Sequence, residues 1–451
     1  MAERPFWNDI EGASASEVRA LEDRKLAGQI DYLFANSTFY QRKLGDAGLK
    51  PTDIRSVKDL RNVPFTRKAE LRESLAEAPP LGHHGIAPIC DVVQIQASSG
   101  TTGAPSYVGV TLRDLDGWCE MQARTMYAGG ILPGDLVMHA TSLSKGFVGG
   151  VPVFQSFQYM KVCDIPIGAE AGTERLLAVI RDLKPNVLYA TPHFAVYLAE
   201  RVPDVLGIKA RELSVRKLSV GGEPGGGIPA VRAKMEELWD ADAREILGGT
   251  DFGIAYWGEC EDKSGMHFTG QGYIVAEIID PVTEEVLEPE QGVEGELVYS
   301  AIDRQASALL RFRSGDRVLV TGTSCPCGRT SYKLRCVGRT DDMLIVKGIN
   351  VFPSAVQDVV TRFGAEVTGL IKVVVDFDGH TTQDALKIKV ESAQGLPVDR
   401  LPGLKRDLEN SLRDSLVFRP EVTLVPAGTF AKPGQTKVSM IERVQPSGSP
   451  A

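Results

Sequence analysis

The stretch ASSGTTGAP, residues 97–105, determines how the chain is interpreted. It follows an apolar run, residues 92–95, that is predicted to form a strand. Its two glycines allow the backbone to turn sharply and to approach a ligand closely. The hydroxyls and free amides of such a turn can surround phosphate oxygens. A flexible linker is the alternative, but one is not expected between two strand-like segments of a core. The stretch therefore predicts a phosphate-binding loop, and it is no Walker A loop because no Gly-Lys-Ser/Thr follows.

Outward from this loop, the apolar pattern predicts the main fold. Short apolar runs alternate with helical patterns up to about residue 280, which is typical of a mainly parallel sheet covered by helices. The first 90 residues are polar and carry apolar residues at helical spacing. The predicted strands are 136–139, 187–190, 218–220, 246–247, 273–280 and 296–299, and the predicted helices are 16–35, 176–183 and 231–238.

Beyond residue 341 the pattern changes to that of a small α+β domain. Residues 386–390 alternate apolar and charged side chains, as in a half-buried strand. Leucines four residues apart over 404–416 predict an amphipathic helix. Ser354, with Gln357 three residues later, resembles a capping box at a helix start. We therefore predict an α/β chain with a large multi-layer N-terminal domain, residues 1–340, and a small mobile α+β C-terminal domain, residues 342–451.

Composition excludes several classes of protein. The 451 residues carry a net charge of −9 and a pI of about 5.4, which argues against binding to nucleic acid or to anionic membranes. No apolar run approaches the length of about 18 residues that spans a bilayer. The first residues lack the basic head and apolar run of a signal peptide. We expect a cytoplasmic enzyme whose seven cysteines are reduced, some of them bound to metal.

Six motifs in one order resemble the adenylate-forming superfamily, and within it the phenylacetate-coenzyme A ligases. The resemblance runs from about residue 33 to residue 444. It implies an ATP-dependent ligase that forms an aryl-adenylate and then an aryl-coenzyme A thioester from a small aromatic carboxylic acid, ATP and coenzyme A. It also suggests a homodimer. The motifs are FANSTFYQRK (34–43), SSGTTG (98–103), GGEP (221–224), GGTDF (248–252), RFRSGD (311–316) and GRTDDMLIVKGINVFP (338–353).

The resemblance assigns nucleotide-binding roles to particular residues. The loop would hold the β- and γ-phosphates, and the GGEP motif would line the adenine pocket. Asp251 stands where the family usually has Glu; it is one methylene shorter, so its Mg²⁺ contact is expected to pass through water. Asp341 occupies the hinge position, which must absorb a large change of backbone angles. The ATP-binding candidates are Ser98, Ser99, Gly100, Thr101, Thr102, Gly103, Gly222, Glu223, Pro224, Asp316 for the ribose hydroxyls, and Arg339; a surface ion pair is the alternative for the last two.

Two departures from the family pattern concern adenylation. The phosphate loop usually carries a lysine where this chain has Ala104, and the C-terminal motif usually carries one where this chain has Gln435. Lys437 or Lys432 would then have to substitute. An acyltransferase or amide-forming enzyme that uses a pre-activated acyl group is therefore one alternative, and a non-catalytic nucleotide- or acyl-coenzyme A-binding homologue is another. The catalytic candidates are Thr250 for the α-phosphate, Asp251 and Lys437.

A Cys-x6-His pair followed by Cys-Pro-Cys-Gly forms the candidate metal site. Thiolates and one imidazole can complete the tetrahedral shell of Zn²⁺, and four protein ligands make the site structural. The phenylacetate ligase branch has a similar arrangement, although Cys-x-Cys spacing is less typical of zinc sites. Unlinked reduced side chains are the alternative. The candidate ligands are Cys260, His267, Cys325 and Cys327.

The acid pocket is assigned by resemblance to the segment after the predicted strand 136–139. Thr141 and Leu143 stand where phenylacetate ligases tend to have tyrosines, which suggests room for a larger or substituted ring. Lys145 could pair with a polar group of the acid or could be an ordinary solvated lysine. Core packing is the alternative for the aromatic candidates. The pocket candidates are Thr141, Leu143, Lys145, Phe147, Tyr189 and Phe252.

Overall fold

The computed structural model describes residues 5–98, 106–347, 349–377, 379–430 and 439–444. In these ranges no helix is long and apolar enough to cross a membrane. The α-helices are α1 (Ala15–Asn36), α2 (Thr38–Asp46), α3 (Lys68–Glu77), α4 (Leu112–Ala128), α5 (Val151–Met160), α6 (Thr173–Leu183), α7 (Pro192–Leu206), α8 (Pro229–Trp239), α9 (Pro353–Thr361) and α10 (Leu401–Leu416).

The strands form four sheets over the same residues. They are β1 (Val92–Ala97), β2 (Tyr107–Thr111), β3 (Leu136–His139), β4 (Cys163–Ile165), β5 (Val187–Ala190), β6 (Lys217–Gly221), β7 (Asp242–Gly249), β8 (Gly253–Glu259), β9 (Met266–Phe268), β10 (Ile274–Ile279), β11 (Val286–Leu287), β12 (Glu294–Ala301), β13 (Phe312–Gly322), β14 (Lys333–Arg339), β15 (Leu344–Val346), β16 (Ile349–Val351), β17 (Val367–Val375), β18 (Thr381–Thr382), β19 (Leu386–Ser392), β20 (Pro420–Val425) and β21 (Ile441–Arg443).

A 12-stranded sheet organises the N-terminal part of the chain. Its order is β11-β10-β12-β13-β14-β9-β8-β7-β6-β5-β3-β4. Strands β4, β3, β5, β6 and β7 are parallel neighbours, and from β7 to β11 neighbouring strands are antiparallel. The parallel half follows the predicted alternation of strands and helices, and the antiparallel half is the predicted β-rich layer. The short apolar runs of the sequence are therefore the buried strands of one sheet.

A smaller domain follows, with its own core. Its buried side chains, from Leu344 to Val422, cluster separately from the cores of the large sheet. Strands β20, β19, β17 and β21 form a four-stranded sheet, and α9 and α10 pack against it. The leucines of α10 at 404, 408 and 412 are fully buried, as their spacing predicts. The predicted fold class is confirmed, while the exact boundary at residue 341 stays a prediction.

The predicted capping box at Ser354 is wrong. Helix α9 begins at Pro353, and the residue before it, Phe352, makes no side-chain cap. The Ser354 hydroxyl donates instead to the carbonyl oxygen of Val337 on β14, at 2.5 Å. The amide of Gln357 donates to the Gly369 oxygen. A tertiary contact between the two domains therefore uses the hydroxyl that the local pattern assigned to a cap.

Candidate active site

The candidate residues collect at one edge of the parallel part of the sheet. Parallel strands end on the same side, and ligands of open α/β sheets bind beyond their carboxyl ends. Strand β3 ends just before residues 140–147, the predicted acid loop. Strand β6 ends at the GGEP motif, and β7 ends just before Thr250. Tyr189 lies near the end of β5, paired in register with His139 of β3. Motifs that are far apart in sequence therefore lie at the same edge of the sheet.

The phosphate loop joins the two strands of a separate hairpin. Strands β1 and β2 are antiparallel, with Ala97 opposite Tyr107. Ser98 and Ser106 close the base of the loop, because the Ser106 amide donates to Ser98 Oγ at 2.9 Å and the Ser98 amide donates to the Ser106 oxygen at 2.9 Å. The predicted strand-loop-strand arrangement is thus confirmed at its ends. The ligand candidates Ser99, Gly100, Thr101, Thr102 and Gly103, together with Ala104, lie outside the described residues.

The carboxylate of Glu223 binds a helix. After β6, Gly222 adopts a positive φ of 81°, which favours glycine. Glu223 Oε1 then accepts a hydrogen bond from the amide of His193, in the first turn of α7, at 3.0 Å. A carboxylate at a helix N-terminus is stabilised by the free amides and the helix dipole. Glu223 therefore fixes the turn, and Gly222 and Pro224, which are exposed, are the parts of the motif accessible to a flat ligand ring.

Thr250 and Asp251 form the tight connection between β7 and β8. Gly248 is required there, because a Cβ at this position would lie 2.0 Å from the Ile254 oxygen. Burial raises the pKa of the Asp251 carboxyl, and the charges of Lys68 and Arg304 offset part of this rise. A buried carboxylate with a raised pKa gains from a cation beside it. The chemistry of this position therefore fits a magnesium ligand.

Arg304 is a candidate that motif reasoning missed. Its guanidinium is buried, lies 4.7 Å from the ring of Trp118, and donates from Nη1 to the backbone oxygen of Asp251 at 3.1 Å. Its Nε and Nη2 groups are buried without a hydrogen-bond partner in the part of the chain that the structure describes. An arginine three residues past a strand has no distinctive sequence signal, so only the fold reveals that it holds the Thr250–Asp251 turn.

Asp316 and Arg339 contact each other. They are paired in register on β13 and β14, and Arg339 Nη1 donates to Asp316 Oδ1 at 2.7 Å. Arg339 also donates to the Ser314 oxygen at 3.3 Å. The Arg339 side chain is 31% exposed and the Asp316 side chain 17%. The ion pair that the sequence left as an alternative is present, in a half-buried position next to the domain junction. Asp341 lies in the following turn, Thr340–Asp342.

A buried carboxylate pair lies beneath the glycines that follow GGEP, and the motifs did not indicate it. Glu245 of β7 is buried against Gly226 and Gly227, where a Cβ on Gly227 would lie 2.5 Å from its Oε2. Its amide donates to Glu259, whose two carboxylate oxygens also accept from Arg232 Nη2 at 2.6 and 2.7 Å. Burial, together with the neighbouring Glu259, raises the pKa of Glu245 to about 7. Sequence alone does not show which face of β7 is covered.

The predicted acid loop is held at both ends by His139. This fully buried imidazole lies with Nδ1 3.0 Å from Asp164 Oδ2. Its Nε2 lies 2.8 Å from Thr141 Oγ1 and 2.9 Å from the Gly149 oxygen. Tyr189 packs edge-on against the same imidazole, with ring centroids 5.4 Å apart. The structure thus brings Thr141 and Tyr189 together around His139, as the pocket assignment requires.

Glu170 holds the middle of the same loop. Its carboxylate accepts hydrogen bonds from the Ser142 hydroxyl, the Ser144 hydroxyl at 3.0 Å, and the Leu143 and Ser144 amides at 3.2 and 3.3 Å. Burial opposes its ionisation, but these bonds outweigh burial and lower the pKa of Glu170 to about 2. Gly168, at a φ of 74°, lets the chain pass within contact of Leu143. The loop is therefore fixed along its length.

The remaining pocket candidates differ in position. Lys145 is exposed and Phe147 is half-buried on the acid loop. The Ala97 amide donates to the Gly146 oxygen at 2.8 Å, which joins the acid loop to the base of the phosphate loop. Phe252 is 2% exposed and packs against Tyr299 and Phe312. These contacts are those of a core residue, which was the alternative for this side chain.

The four candidate metal ligands meet in space. The ligand atoms of Cys260, His267, Cys325 and Cys327 all lie within 4.8 Å of one another. Cys260 Sγ is 3.6 Å from Cys325 Sγ, and Cys327 Sγ is 3.5 Å from His267 Nε2. Cys260 directly follows β8, His267 lies on β9, and Cys325 and Cys327 lie in the β13–β14 connection. These segments meet because β9 pairs with both β8 and β14. Three sulfurs and one imidazole nitrogen are a donor set suited to Zn²⁺.

Groups around this cluster orient the ligands. His267 Nδ1 lies 3.1 Å from the Ser331 carbonyl oxygen, to which it donates, so Nε2 is the nitrogen left for a metal. Arg329, two residues after Cys327, donates to Glu11 at 2.9 Å, and both side chains are buried. Thr330 also donates to the backbone of the N-terminal segment, at the Ala13 oxygen. The cluster therefore anchors the segment that precedes α1.

Comparison with known proteins agrees with this arrangement. Residues 348–443 match the AMP-binding enzyme C-terminal domain. The phenylacetate-coenzyme A ligase of Thermus thermophilus is 32% identical over 439 residues, covering 94% of this chain and 96% of the relative. With the sheet and the motif positions described above, these matches place the chain among the adenylate-forming enzymes. It belongs to the phenylacetate-coenzyme A ligase family.

Solved structures of 2-hydroxyisobutyryl-CoA ligase share the fold. The complex with 2-HIB-AMP in the postadenylation state is 26% identical, has a TM-score of 0.90, and covers 98% of this chain and 93% of that one. The same ligase with 2-HIB-AMP and CoA in the thioesterification state is also 26% identical, covers 99% and 94%, and has a TM-score of 0.72. The present chain thus superimposes better on the first of the two states.

Proposed function

We propose that the chain activates a small aromatic carboxylic acid with ATP and transfers the acyl group to coenzyme A. The observation that carries the proposal is the shared edge of the sheet. There the acid loop, the GGEP turn and the Thr250–Asp251 turn follow β3, β6 and β7, which with β5 are consecutive strands of the parallel half of the sheet. The Gly146 oxygen accepts a hydrogen bond from the Ala97 amide at the base of the phosphate loop. An acid and a nucleotide bound at this edge would be adjacent, which is the main requirement of an adenylation reaction.

In the first half-reaction, a carboxylate oxygen of the acid attacks the α-phosphorus of ATP and pyrophosphate leaves. An ionised carboxylate is already a competent nucleophile at neutral pH, so no general base is needed. The chain's task is to position the groups and to stabilise charge on the phosphates. We assign this to residues 98–103, Thr250, Asp316, Arg339 and Lys437. Asp251 would hold Mg²⁺, whose charge neutralises the phosphate oxygens.

In the second half-reaction, the coenzyme A sulfur attacks the acyl carbonyl, AMP leaves, and the thiol proton passes to solvent. We propose that the C-terminal domain, residues 342–451, turns about Asp341 between the two steps. Support comes from the two TM-scores, 0.90 and 0.72, against one relative in two states. Ser354 donates to Val337 in the present arrangement, and a turn about residue 341 would break this bond between domains.

Further parts of the proposal concern metal, compartment and assembly. A structural Zn²⁺ would be bound by the Cys260, His267, Cys325 and Cys327 cluster, and it would cross-link the end of β8 and strand β9 to the β13–β14 connection. Its oriented histidine and three sulfurs support this assignment. We propose that the enzyme acts in the cytoplasm, with Mg²⁺ as its second metal. A homodimer is proposed from the family resemblance alone.

An exchange assay tests the proposed function. Labelled pyrophosphate would be incubated with ATP, Mg²⁺ and each of a panel of benzoic, phenylacetic, anthranilic and bicyclic acids. We expect acid-dependent exchange into ATP, and a coenzyme A thioester once coenzyme A is added. Turnover of an aryl-coenzyme A without any exchange would instead favour an acyltransferase. The absence of the usual lysines at Ala104 and Gln435 is the reason for considering that alternative. Binding of ATP or acyl-coenzyme A in calorimetry, with neither exchange nor thioester formation, would indicate the non-catalytic binding homologue.

A further inference from the structure

The hydrogen-bond pattern around Thr141 determines what its hydroxyl can offer a ligand. His139 Nε2 lies 2.9 Å from the Gly149 carbonyl oxygen. A carbonyl oxygen only accepts, so Nε2 carries the hydrogen. The same Nε2–H lies 2.8 Å from Thr141 Oγ1. The hydroxyl of Thr141 therefore faces a donor on this side and cannot direct its own hydrogen there.

The hydrogen of the Thr141 hydroxyl is already used. Thr141 Oγ1 lies 2.5 Å from the Gly149 oxygen and donates to it. A hydroxyl has one hydrogen and two lone pairs, so after these two contacts Thr141 can still accept a bond but cannot donate one. Thr141 is half-buried, so part of the residue remains accessible. At this point the site offers an acceptor only.

The hydrogen bonds around Thr141 hold its acceptor in place, so that it can discriminate between ligands. The buried Asp164–His139 pair fixes the imidazole, and four donors from Ser142, Leu143 and Ser144 bind Glu170. Thr141 therefore cannot turn its hydroxyl without losing the bond to Gly149. A preorganised acceptor favours a ligand that brings its own hydrogen, because a methyl or ether oxygen placed there would remove water from the acceptor without replacing its bond.

We infer that Thr141 accepts a hydrogen bond from the acid, and that the preferred acid carries a hydroxyl or amino group in addition to its carboxylate. The inference rests on the proposed function, and it narrows the substrate class from aromatic acids to donor-bearing ones. His139 and Asp164 are positioning residues in it, because they act on the acid only through Thr141.

Pyrophosphate release tests the inference with matched acids. The panel is phenylacetate with a hydroxyl, amino, methoxy or methyl group at each ring position. We expect one ring position at which the hydroxyl- or amino-substituted phenylacetate has a kcat/KM about tenfold higher than the methyl-substituted one. A factor of this size corresponds to one hydrogen bond. In Thr141→Val this ratio should fall to about one, while KM for ATP stays the same. Thr141→Ser should keep the ratio.

Control variants separate this role from a loss of folding. Thr361→Val removes a similar part-buried hydroxyl, which donates to the Asp358 oxygen in the C-terminal domain, and should keep the ratio. Thr141→Cys, with a weak acceptor of similar size, should lower it even if the valine variant unfolds. Turnover without donor preference, or a preference that survives Thr141→Val, overturns the inference alone. Absence of turnover with every acid overturns the proposed function as well.

Discussion

Arg339 donates a hydrogen bond to Asp316 across the paired strands β13 and β14, with 2.7 Å between Nη1 and Oδ1. The family resemblance assigns both residues to the nucleotide. In this structure each is bound to the other, so the carboxylate is already oriented by a charged donor. One oxygen of Asp316 is engaged by Arg339, and the carboxylate has further lone pairs with which to accept ribose hydroxyls.

The first prediction follows from that pair. Asp316→Asn should raise KM for ATP by about 10- to 100-fold, because a hydrogen bond to a charged group contributes roughly 1.5–3 kcal/mol. KM for the acid should stay within about twofold. Steady-state kinetics of pyrophosphate release measure both constants.

Asp376→Asn is the matched control, because Asp376 forms an exposed ion pair with Lys387 in the C-terminal domain. It should leave both constants unchanged. An Asp316→Asn enzyme with normal KM for ATP would mean that the pair with Arg339 only stabilises the sheet.

The second prediction concerns the pH dependence of stability. The pKa of Glu245 is raised to about 7 in the folded chain from 4.5, so the folded state holds one more proton between these values. Stability from this group is fully present below pH 4.5 and is lost as pH rises to 7, by up to about 1.4 kcal/mol per pH unit. Glu245→Gln should remove this component. Urea unfolding of both proteins at pH 5, 6, 7 and 8 measures the difference.

The difference between wild type and Glu245→Gln isolates this carboxyl from other groups, such as Glu22, whose pKa burial also raises to about 7. Parallel curves for the two proteins across this range would show that Glu245 is ionised when folded.

The third prediction concerns the metal cluster. Purified protein should contain one zinc per chain, and Cys327→Ser should lose it. Loss should lower the free energy of unfolding by on the order of 2 kcal/mol or more, because metal binding is coupled to folding. Since Arg329 and Thr330 bind Glu11 and Ala13, limited proteolysis should then cut the segment before α1 faster.

Cys163→Ser provides the control, because Cys163 is exposed and lies outside the cluster. It should retain zinc and the proteolysis rate of the wild type. A folded wild-type protein free of zinc in metal analysis would refute the assignment.

The fourth prediction concerns the C-terminal motif, which lies outside the described residues. Gln435→Lys should raise the single-turnover rate of adenylation by about one to two powers of ten, since it restores a charged hydrogen bond at the transition state. Lys437→Met should lower it if Lys437 now serves in that place. Rapid-quench experiments that follow acyl-AMP formation measure the adenylation rate of each variant. Equal rates for Gln435→Lys and wild type would show that the departure is immaterial.

The sequence predicted the fold and the motif positions well, and particular residues show where its information ended. The apolar run at 187–190 became β5 because a fully buried parallel strand needs nothing more than continuous apolar side chains. Asp316 and Arg339 are 23 residues apart in sequence, and their contact depends on the register of β13 and β14, which no local pattern encodes. Ser354 was misassigned because its hydroxyl reaches Val337 on another domain.

The candidate metal ligands were identified by residue type, although their spacing was unusual. The Cys-x-Cys spacing fits because Cys325 approaches Cys260 while Cys327 approaches His267, so the two sulfurs face different partners. Glu245 and Arg304 were not identified from the sequence, because their importance comes from burial against other segments. The roles of the loop residues 99–103 and of Lys437 stay predictions.

Strand β14 has the metal cluster beside its first residue, Lys333, and the nucleotide candidate Arg339 at its last. The strand is seven residues long, so its two ends are six residue steps apart, about 20 Å at the usual rise per residue. If Arg339 binds ATP as proposed, any free energy that metal binding contributes to the placement of this strand also changes the affinity for ATP. Thermodynamic reciprocity then requires ATP to change the metal affinity by the same factor, although no atom of one ligand approaches the other.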